Sequence, residues 1–143
     1  MRDGFVKVAA ATLNTKVADV EHNKREIFRL IDETIENGAK IVVFPELCIT
    51  GYTCGDLFSQ DILLSQSAKA LEEIAAYTTG KDGLFFVGLP YVVCNKLYNV
   101  AAAVCDGEVI GMVTKTFLPN YSEFYEMRQF QPGPKTVSYT HLT

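Results

Sequence analysis

Apolar residues recur along this chain with two different periods, and the change of period predicts its first elements. Residues 5–13 and 40–44 are short apolar runs, which are typical of strands. Over residues 20–35 the apolar positions return every three or four residues, which predicts a helix with one buried face. Asp19 is the expected N-cap of this helix, and Asn37-Gly38 its expected end. Because residues 40–44 show no polar alternation, we expect that strand to be covered on both faces.

The same alternation of periods continues through the rest of the chain. A second helix is predicted over residues 61–77 and a third strand over residues 84–90. Two further strands, 97–105 and 108–115, flank Asp106-Gly107, a dipeptide typical of a tight hairpin. Strand, helix, strand, helix, strand and hairpin in this order predict an α/β layered fold.

Composition adds the class of protein and excludes several others. The chain has 143 residues, 48% hydrophobic and 21% charged, which is the composition of one globular domain. Its net charge is −4 and no basic run interrupts it, so we expect no nucleic-acid partner. No apolar run approaches the roughly 18 residues of a membrane span, and the first residues lack a signal-peptide layout, so we expect a cytoplasmic protein.

The cysteines and histidines indicate neither a metal site nor disulfides. The four cysteines, at positions 48, 54, 94 and 105, show no Cys-x-x-Cys spacing, and the two histidines, His22 and His141, are far apart. We therefore expect no metal ligands, and we interpret the cysteines as small buried residues.

Three charged residues stand where chemistry is expected in such a fold. Glu46 follows the strand 40–44, and Lys115 ends the strand that begins near residue 108. Glu126 lies beyond it in a loop rich in aromatic residues, 116–135, which we call the aromatic loop. Ligands of α/β proteins gather where strands end and loops begin. A carboxylate paired with an ammonium can act as a base beside a fixed cation for a developing oxyanion. Taken singly, each residue is more often an ordinary ion-pair or loop residue.

A resemblance to a known family rests on two stretches of the chain. The segments "FPELCITGY" and "LYNVAAAVCDGEVIGMVTKTFLPNYSEFYEMRQFQPG" resemble the amino-terminal part of the nitrilase, or carbon–nitrogen hydrolase, superfamily. The second segment is narrower and resembles the glutaminase domain of its glutamine-dependent NAD⁺ synthetase branch. The resemblance implies part of an α-β-β-α four-layer sandwich over residues 1–135. It does not extend to residues 136–143, an unassigned tail for which foreign sequence is one interpretation.

The resemblance also implies roles for five residues. Glu46 would be the general base and Lys115 the lysine that stabilises the oxyanion, both catalytic. Tyr52, Tyr121 and Glu126 would bind the substrate, glutamine, or order the catalytic groups. The parent enzyme would release ammonia, which a carboxyl-terminal synthetase domain uses with ATP and Mg²⁺ to convert deamido-NAD⁺ to NAD⁺. No cofactor is expected in this chain, and the parent is expected to be a homo-oligomer.

The chain departs from the family at its nucleophile. The family's cysteine lies in a Cys-Glu-Asp context that none of the four cysteines has. Cys48, two residues after Glu46, is interpreted as structural. We therefore expect a fragment that is inactive alone. Two other interpretations stay open, a stand-alone nitrilase-type amidase and a non-catalytic binding module with this fold.

Overall fold

The computed structural model describes residues 4–134 and contains one mixed sheet with two helices. Its elements are β1 (Val8–Ala10), α1 (Val20–Glu36), β2 (Ile41–Val43), α2 (Asp61–Tyr77), β3 (Leu84–Val93), β4 (Lys96–Cys105), β5 (Glu108–Thr114), β6 (Asn120–Tyr121) and β7 (Phe124–Tyr125). Two short 3₁₀ helices, Gly55–Ser59 and Glu126–Arg128, lie in the connections. The predicted tail, residues 136–143, and His141 lie outside the described residues.

The five-stranded sheet has its strands in sequence order from β1 to β5. β1, β2 and β3 are parallel, and β3, β4 and β5 are antiparallel. Each parallel pair is joined through a helix, as parallel strands require, and each antiparallel pair through a short turn. β6 and β7 form a separate two-stranded hairpin. The expected α/β fold is therefore confirmed.

Both helices form where the apolar spacing predicts them. The Asp19 side chain accepts a hydrogen bond from His22 N at 3.0 Å and so caps α1. Gly38 follows the end of this helix with a φ of +82°, a conformation that favours glycine. Together the two helices cover one face of the sheet, and the core lies between them and the strands. Its largest fully buried side chains include Ile27, Ile31, Ile74, Val42, Phe85, Val87 and Val104.

The opposite face of the sheet is open among residues 4–134. Val8 on β1, Val43 on β2 and Val113 on β5 are 66%, 48% and 63% exposed. The expectation that residues 40–44 are covered on both faces is therefore wrong for the described residues, because both helices pack on the same side. The described part of the chain forms one helical layer and one sheet layer.

The strand boundaries differ from the predictions in β1 and β3 and agree to within one residue in β2, β4 and β5. β1 has three residues where nine were expected, and β3 is extended to Val93 because it pairs with β4 along its whole length. The predicted hairpin turn is present, with Asp106 at φ +46° and Gly107 at φ +86°. Positive φ at both positions matches the twist of the flanking strands.

Candidate active site

Glu46 is presented by a tight turn that follows β2. Leu47 has a φ of +51°, and the turn closes when Gly51 N donates to Leu47 O at 2.7 Å. Left-handed backbone is rare for leucine, but Leu47 is fully buried and the packing of its side chain holds the turn. The turn after β2 thus begins at Glu46 and places its carboxylate at the end of the sheet.

Lys115 follows directly after β5 and is held by its backbone from both sides. Its N–H donates to Asn99 O on β4 at 2.8 Å, and its carbonyl accepts from Gly133 N at 2.8 Å. The backbone of Lys115 is therefore fixed between strand β4 and Gly133, near the end of the aromatic loop. This places its side chain at the same end of the sheet as Glu46.

The Lys115 ammonium lies between two carboxylates. Its Nζ donates to Glu46 Oε1 at 2.7 Å and to Glu126 Oε1 at 2.9 Å. The side chain of Glu126 is 5% exposed, whereas those of Lys115 and Glu46 are 30% and 42% exposed. Burial acts to lower the pKa of Lys115, but its hydrogen bonds to the two glutamates outweigh burial and raise the pKa above its ordinary value. Lys115 is therefore a stable cation at neutral pH.

Glu126 is held by a second donor and keeps one oxygen without a partner. The Tyr52 hydroxyl donates to Glu126 Oε1 at 2.8 Å. Burial, with the neighbouring Glu126 carboxylate, raises the pKa of Tyr52, which therefore stays a donor. Glu126 Oε2 is buried and has no hydrogen-bond partner among residues 4–134. An unpaired buried acceptor costs about 1–3 kcal/mol, so any arrangement that brings an N–H donor to this oxygen is favoured.

Asn99 belongs to the same cluster, although the sequence reasoning did not single it out. Its Nδ2 donates to Glu46 Oε1 at 2.5 Å, and the residue is 3% exposed on β4. The signal was available, since Asn99 is the one amide within the apolar stretch "LYNVAAAVC". A buried amide needs a partner, and here the partner is the expected base.

Two other residues that the sequence singled out are not joined to this cluster by a hydrogen bond. Tyr121, on β6, is 68% exposed and contacts the Phe124 ring edge-on at a centroid distance of 5.9 Å. Cys48 is buried and its thiol hydrogen-bonds with the backbone of Gly88. Burial raises the pKa of the Cys48 thiol to about 12, so it is a neutral thiol at physiological pH.

Two open clefts flank the cluster. One, of about 370 Å³, lies on the open sheet face and is lined by Val43, Glu46, Phe86, Asn99 and Lys115 among others. The other, of about 270 Å³, is lined by Tyr52, Glu123, Tyr125 and Glu126 among others. A small polar molecule could therefore reach the carboxylates from either side. A base, a fixed cation and a free acceptor at one place suit proton transfer next to a developing negative charge.

The rest of the described chain offers neither a metal cluster nor a membrane helix. Within residues 4–134, no group of three or more His, Cys, Asp or Glu side chains is arranged to hold a metal ion. In the same residues, neither helix has the length and hydropathy needed to cross a bilayer.

Known proteins share both the sequence and the fold of this chain. A model of the carbon-nitrogen hydrolase family matches residues 7–142. The glutamine-dependent NAD⁺ synthetase of Aquifex aeolicus is 43% identical over 133 residues, which are 93% of this chain and 23% of the relative. The synthetase of the same name from Mycobacterium tuberculosis H37Rv is 37% identical over 130 residues, 91% of this chain and 19% of the relative. The chain thus spans less than a quarter of the length of these two curated relatives.

Solved structures agree with this picture. A crystal structure of a glutamine-dependent NAD⁺ synthetase from Cytophaga hutchinsonii has a TM-score of 0.90 and 35% identity, covering 96% of this chain and 23% of that protein. An amidase from Nesterenkonia has a TM-score of 0.77 at 22% identity, covering 94% of this chain and 51% of that protein. The amidase is similar to this chain in its fold.

Proposed function

The chain belongs to the carbon–nitrogen hydrolase family, and we propose that it is part of the glutamine-hydrolysing domain of a glutamine-dependent NAD⁺ synthetase. The observation that carries the proposal is the Lys115 ammonium, which bonds Glu46 on one side and Glu126 on the other beside an open cleft. The names of the relatives from Aquifex and Mycobacterium support the choice of glutamine as substrate.

In the proposed reaction, this chain supplies two of three catalytic groups, and the third is a cysteine of the parent enzyme that is not among the four of this chain. Glu46 takes the proton from the cysteine thiol, and the thiolate forms a bond to the side-chain amide carbon of glutamine. Lys115 stabilises the oxyanion that forms. Glu46 then returns the proton to the departing nitrogen as the C–N bond breaks, and ammonia leaves. Water, deprotonated by Glu46, hydrolyses the thioester to glutamate and frees the thiol.

Glu126 and the two tyrosines are assigned to substrate recognition. Glu126 Oε2 is buried without a partner among residues 4–134, and an N–H group of glutamine that reaches it would supply the missing donor. Tyr52 fixes the other oxygen of the same carboxylate. Tyr121, exposed on β6, would help to recognise the glutamine substrate.

The remaining parts of the proposal concern the parent enzyme. The open face of the sheet, with Val8, Val43 and Val113, would pack against the second sheet of the four-layer sandwich. ATP and Mg²⁺ would bind in a synthetase domain, which would take up the ammonia. The resemblance also implies a cytoplasmic homo-oligomer.

The experiment that tests the proposal transplants this chain into a relative. In a chimera, residues 4–134 replace the aligned segment of the Aquifex synthetase, which supplies the rest of the enzyme. We expect the chimera to release ammonia from glutamine, and Glu46→Gln to lower that rate by at least about 100-fold, because the base is lost. A well-folded chimera without glutamine hydrolysis, or one unaffected by Glu46→Gln, would overturn the proposal. Hydrolysis of other amides in preference to glutamine would favour the stand-alone amidase.

A second measurement concerns the 143-residue chain by itself. Groups that act as a unit lose most of their effect when one is missing. We therefore expect no ammonia release from glutamine by the purified chain, and no change on Cys48→Ala. Ammonia release that Cys48→Ala abolishes would make Cys48 the nucleophile.

A further inference from the structure

Gly88 lies in the middle of β3, where the strand touches the turn that carries Glu46. A Cβ built on Gly88 would lie 2.5 Å from Leu47 N, 2.8 Å from Pro45 O and 3.1 Å from Glu46 C. All three are backbone atoms, so no change of side-chain rotamer can make room for it. Any side chain at this position must push the turn away from the strand.

The turn is also bonded to Gly88 at two points. Ile49 N donates to Gly88 O at 3.2 Å, and Gly88 N donates to the Cys48 sulfur at 3.4 Å. Leu47, between Glu46 and these contacts, has left-handed backbone. The strand therefore holds the turn in a conformation that it would not keep by itself.

The backbones of Glu46 and Lys115 are held by different parts of the fold, although the Asn99 amide also bonds the Glu46 carboxylate. Lys115 is fixed through its own backbone by Asn99 O and Gly133 N. Glu46 has its backbone fixed by the contact with Gly88. The 2.7 Å bond between the two side chains therefore depends on how closely the turn lies against β3. A displacement of about 1 Å in such a pair can cost about 100-fold in rate.

We propose that Gly88 is a positioning residue, whose missing side chain lets the Glu46 turn lie against β3 and so sets the distance between the Glu46 carboxylate and the Lys115 ammonium. The inference rests on the proposed function for its catalytic meaning. The effect of Gly88 on the distance between Glu46 and Lys115 concerns this chain alone and can be tested without measuring glutamine hydrolysis.

Two other glycines provide matched controls. A Cβ built on Gly111, in β5, meets nothing within 4 Å. A Cβ built on Gly83 would lie 2.9 Å from Cζ of the buried Phe85 ring, so it crowds the core without touching the Glu46 turn. Neither control has left-handed backbone, so alanine strains neither through φ.

The test follows the titration of Lys115 in the 143-residue chain. The groups that face its ammonium are Glu46 and Glu126, and the Tyr52 hydroxyl contacts Glu126. Trace acetylation across the alkaline range, read by peptide mass spectrometry, gives the pKa of each lysine. Lys24, held by two other glutamates, is an internal reference in the same sample.

We expect Gly88→Ala to lower the pKa of Lys115, because Glu46 moves away, and to leave that of Lys24 unchanged. Gly111→Ala and Gly83→Ala should leave both lysines unchanged, even if Gly83→Ala lowers the melting temperature. A folded Gly88→Ala chain with the native pKa at Lys115 would overturn the proposal.

A loss of folding is separated from a loss of position in the same experiment. If the pKa of Lys24 also falls in Gly88→Ala, the measurement is repeated in an osmolyte that favours the folded state. We then expect Lys24 to recover and Lys115 to stay lowered. Recovery of both, or failure to fold where Gly83→Ala folds, would mean that Gly88 serves the fold and not the position of Glu46. An inactive chimera would count against the proposed function without affecting this result.

Discussion

Lys24 and Lys115 are both held between two glutamates, in two different regions of the molecule. Lys24 bonds Glu21 on its own helix at 2.9 Å and Glu73 on α2, and so links the two helices. Lys115 bonds Glu46 and Glu126, and so links the end of the sheet to the aromatic loop. A lysine between two glutamates thus occurs both in the helical layer and at the end of the strands.

Their titration does not distinguish the two lysines. In both, burial acts to lower the pKa, and the hydrogen bonds and charges of the glutamates raise it above the ordinary value. A perturbed pKa is common at functional sites, but structural ion pairs perturb pKa values as well. The shift alone therefore does not identify the Lys115 cluster as a site.

The neighbours of the carboxylates make the difference. Glu21 is 71% exposed in its side chain and Glu73 is 37% exposed, and neither receives a hydrogen bond from a neutral side chain among residues 4–134. Glu126 is 5% exposed and receives the Tyr52 hydroxyl, and Glu46 receives the Asn99 amide. Around Lys115 the charges are held by extra donors next to a cleft, which is the preorganisation that catalysis requires.

The largest expected difference between the two regions is in activity. In the chimera with the Aquifex synthetase, Lys115→Met should lower glutamine hydrolysis by about 10²- to 10³-fold, because the oxyanion loses its fixed cation. Lys24→Met keeps an apolar stem between the helices and should leave the rate within about twofold of the unsubstituted chimera. Steady-state ammonia release measures both. Equal losses in the two variants would show that both lysines serve only the fold.

The Asn99 amide offers the next largest difference. Asn99→Leu should lower the rate in the chimera by about 10- to 100-fold, since the Glu46 carboxylate loses the donor that orients it. In a chimera that already carries Glu46→Gln, the same change should cost nothing further, because the two residues act as a unit.

Thr78→Val is the matched control for Asn99→Leu. Thr78 is also buried, donates to Ala75 O at 2.7 Å and accepts from Gly107 N at 3.0 Å, away from the cluster. Its replacement should cost stability with little effect on the rate. An Asn99→Leu loss of equal size with and without Glu46→Gln would assign Asn99 to the fold alone.

The sequence predicted the elements well where local patterns decide them. α2 begins and ends where its apolar spacing predicted, and the Asp106-Gly107 turn follows from residues that adopt positive φ. The shortness of β1 could not be predicted, because it depends on which residues find a partner on β2. The open sheet face does not follow from the apolar run of residues 40–44, which does not reveal where its cover lies. It follows from the resemblance, because part of a four-layer sandwich leaves one face of its sheet without the partner sheet.

For the site, the sequence located the charged groups but not what holds them. Glu46 and Lys115 stand out in the sequence because each is a charged residue at the end of an apolar strand. The contact between Gly88 and the Glu46 turn involves residues about 40 positions apart in sequence, and no local pattern reveals such an approach. Asn99 could have been found as a polar residue inside an apolar strand. Its hydrogen-bond partner, Glu46, is known only from the folded structure.

The smallest effect is a crossed change of titration in the isolated 143-residue chain. Glu46→Gln should lower the pKa of Lys115 and leave that of Lys24, whereas Glu73→Gln should do the reverse. Trace acetylation of each lysine measures the four values. Because both folded-state pKa values are raised, each pair contributes its full stability below the ordinary lysine pKa of about 10.4, and loses it as the pH rises through the raised value. Glu46→Gln should therefore weaken only the Lys115 part of that alkaline loss, and a shift of both lysines by either variant would mean that the two clusters are coupled through the fold.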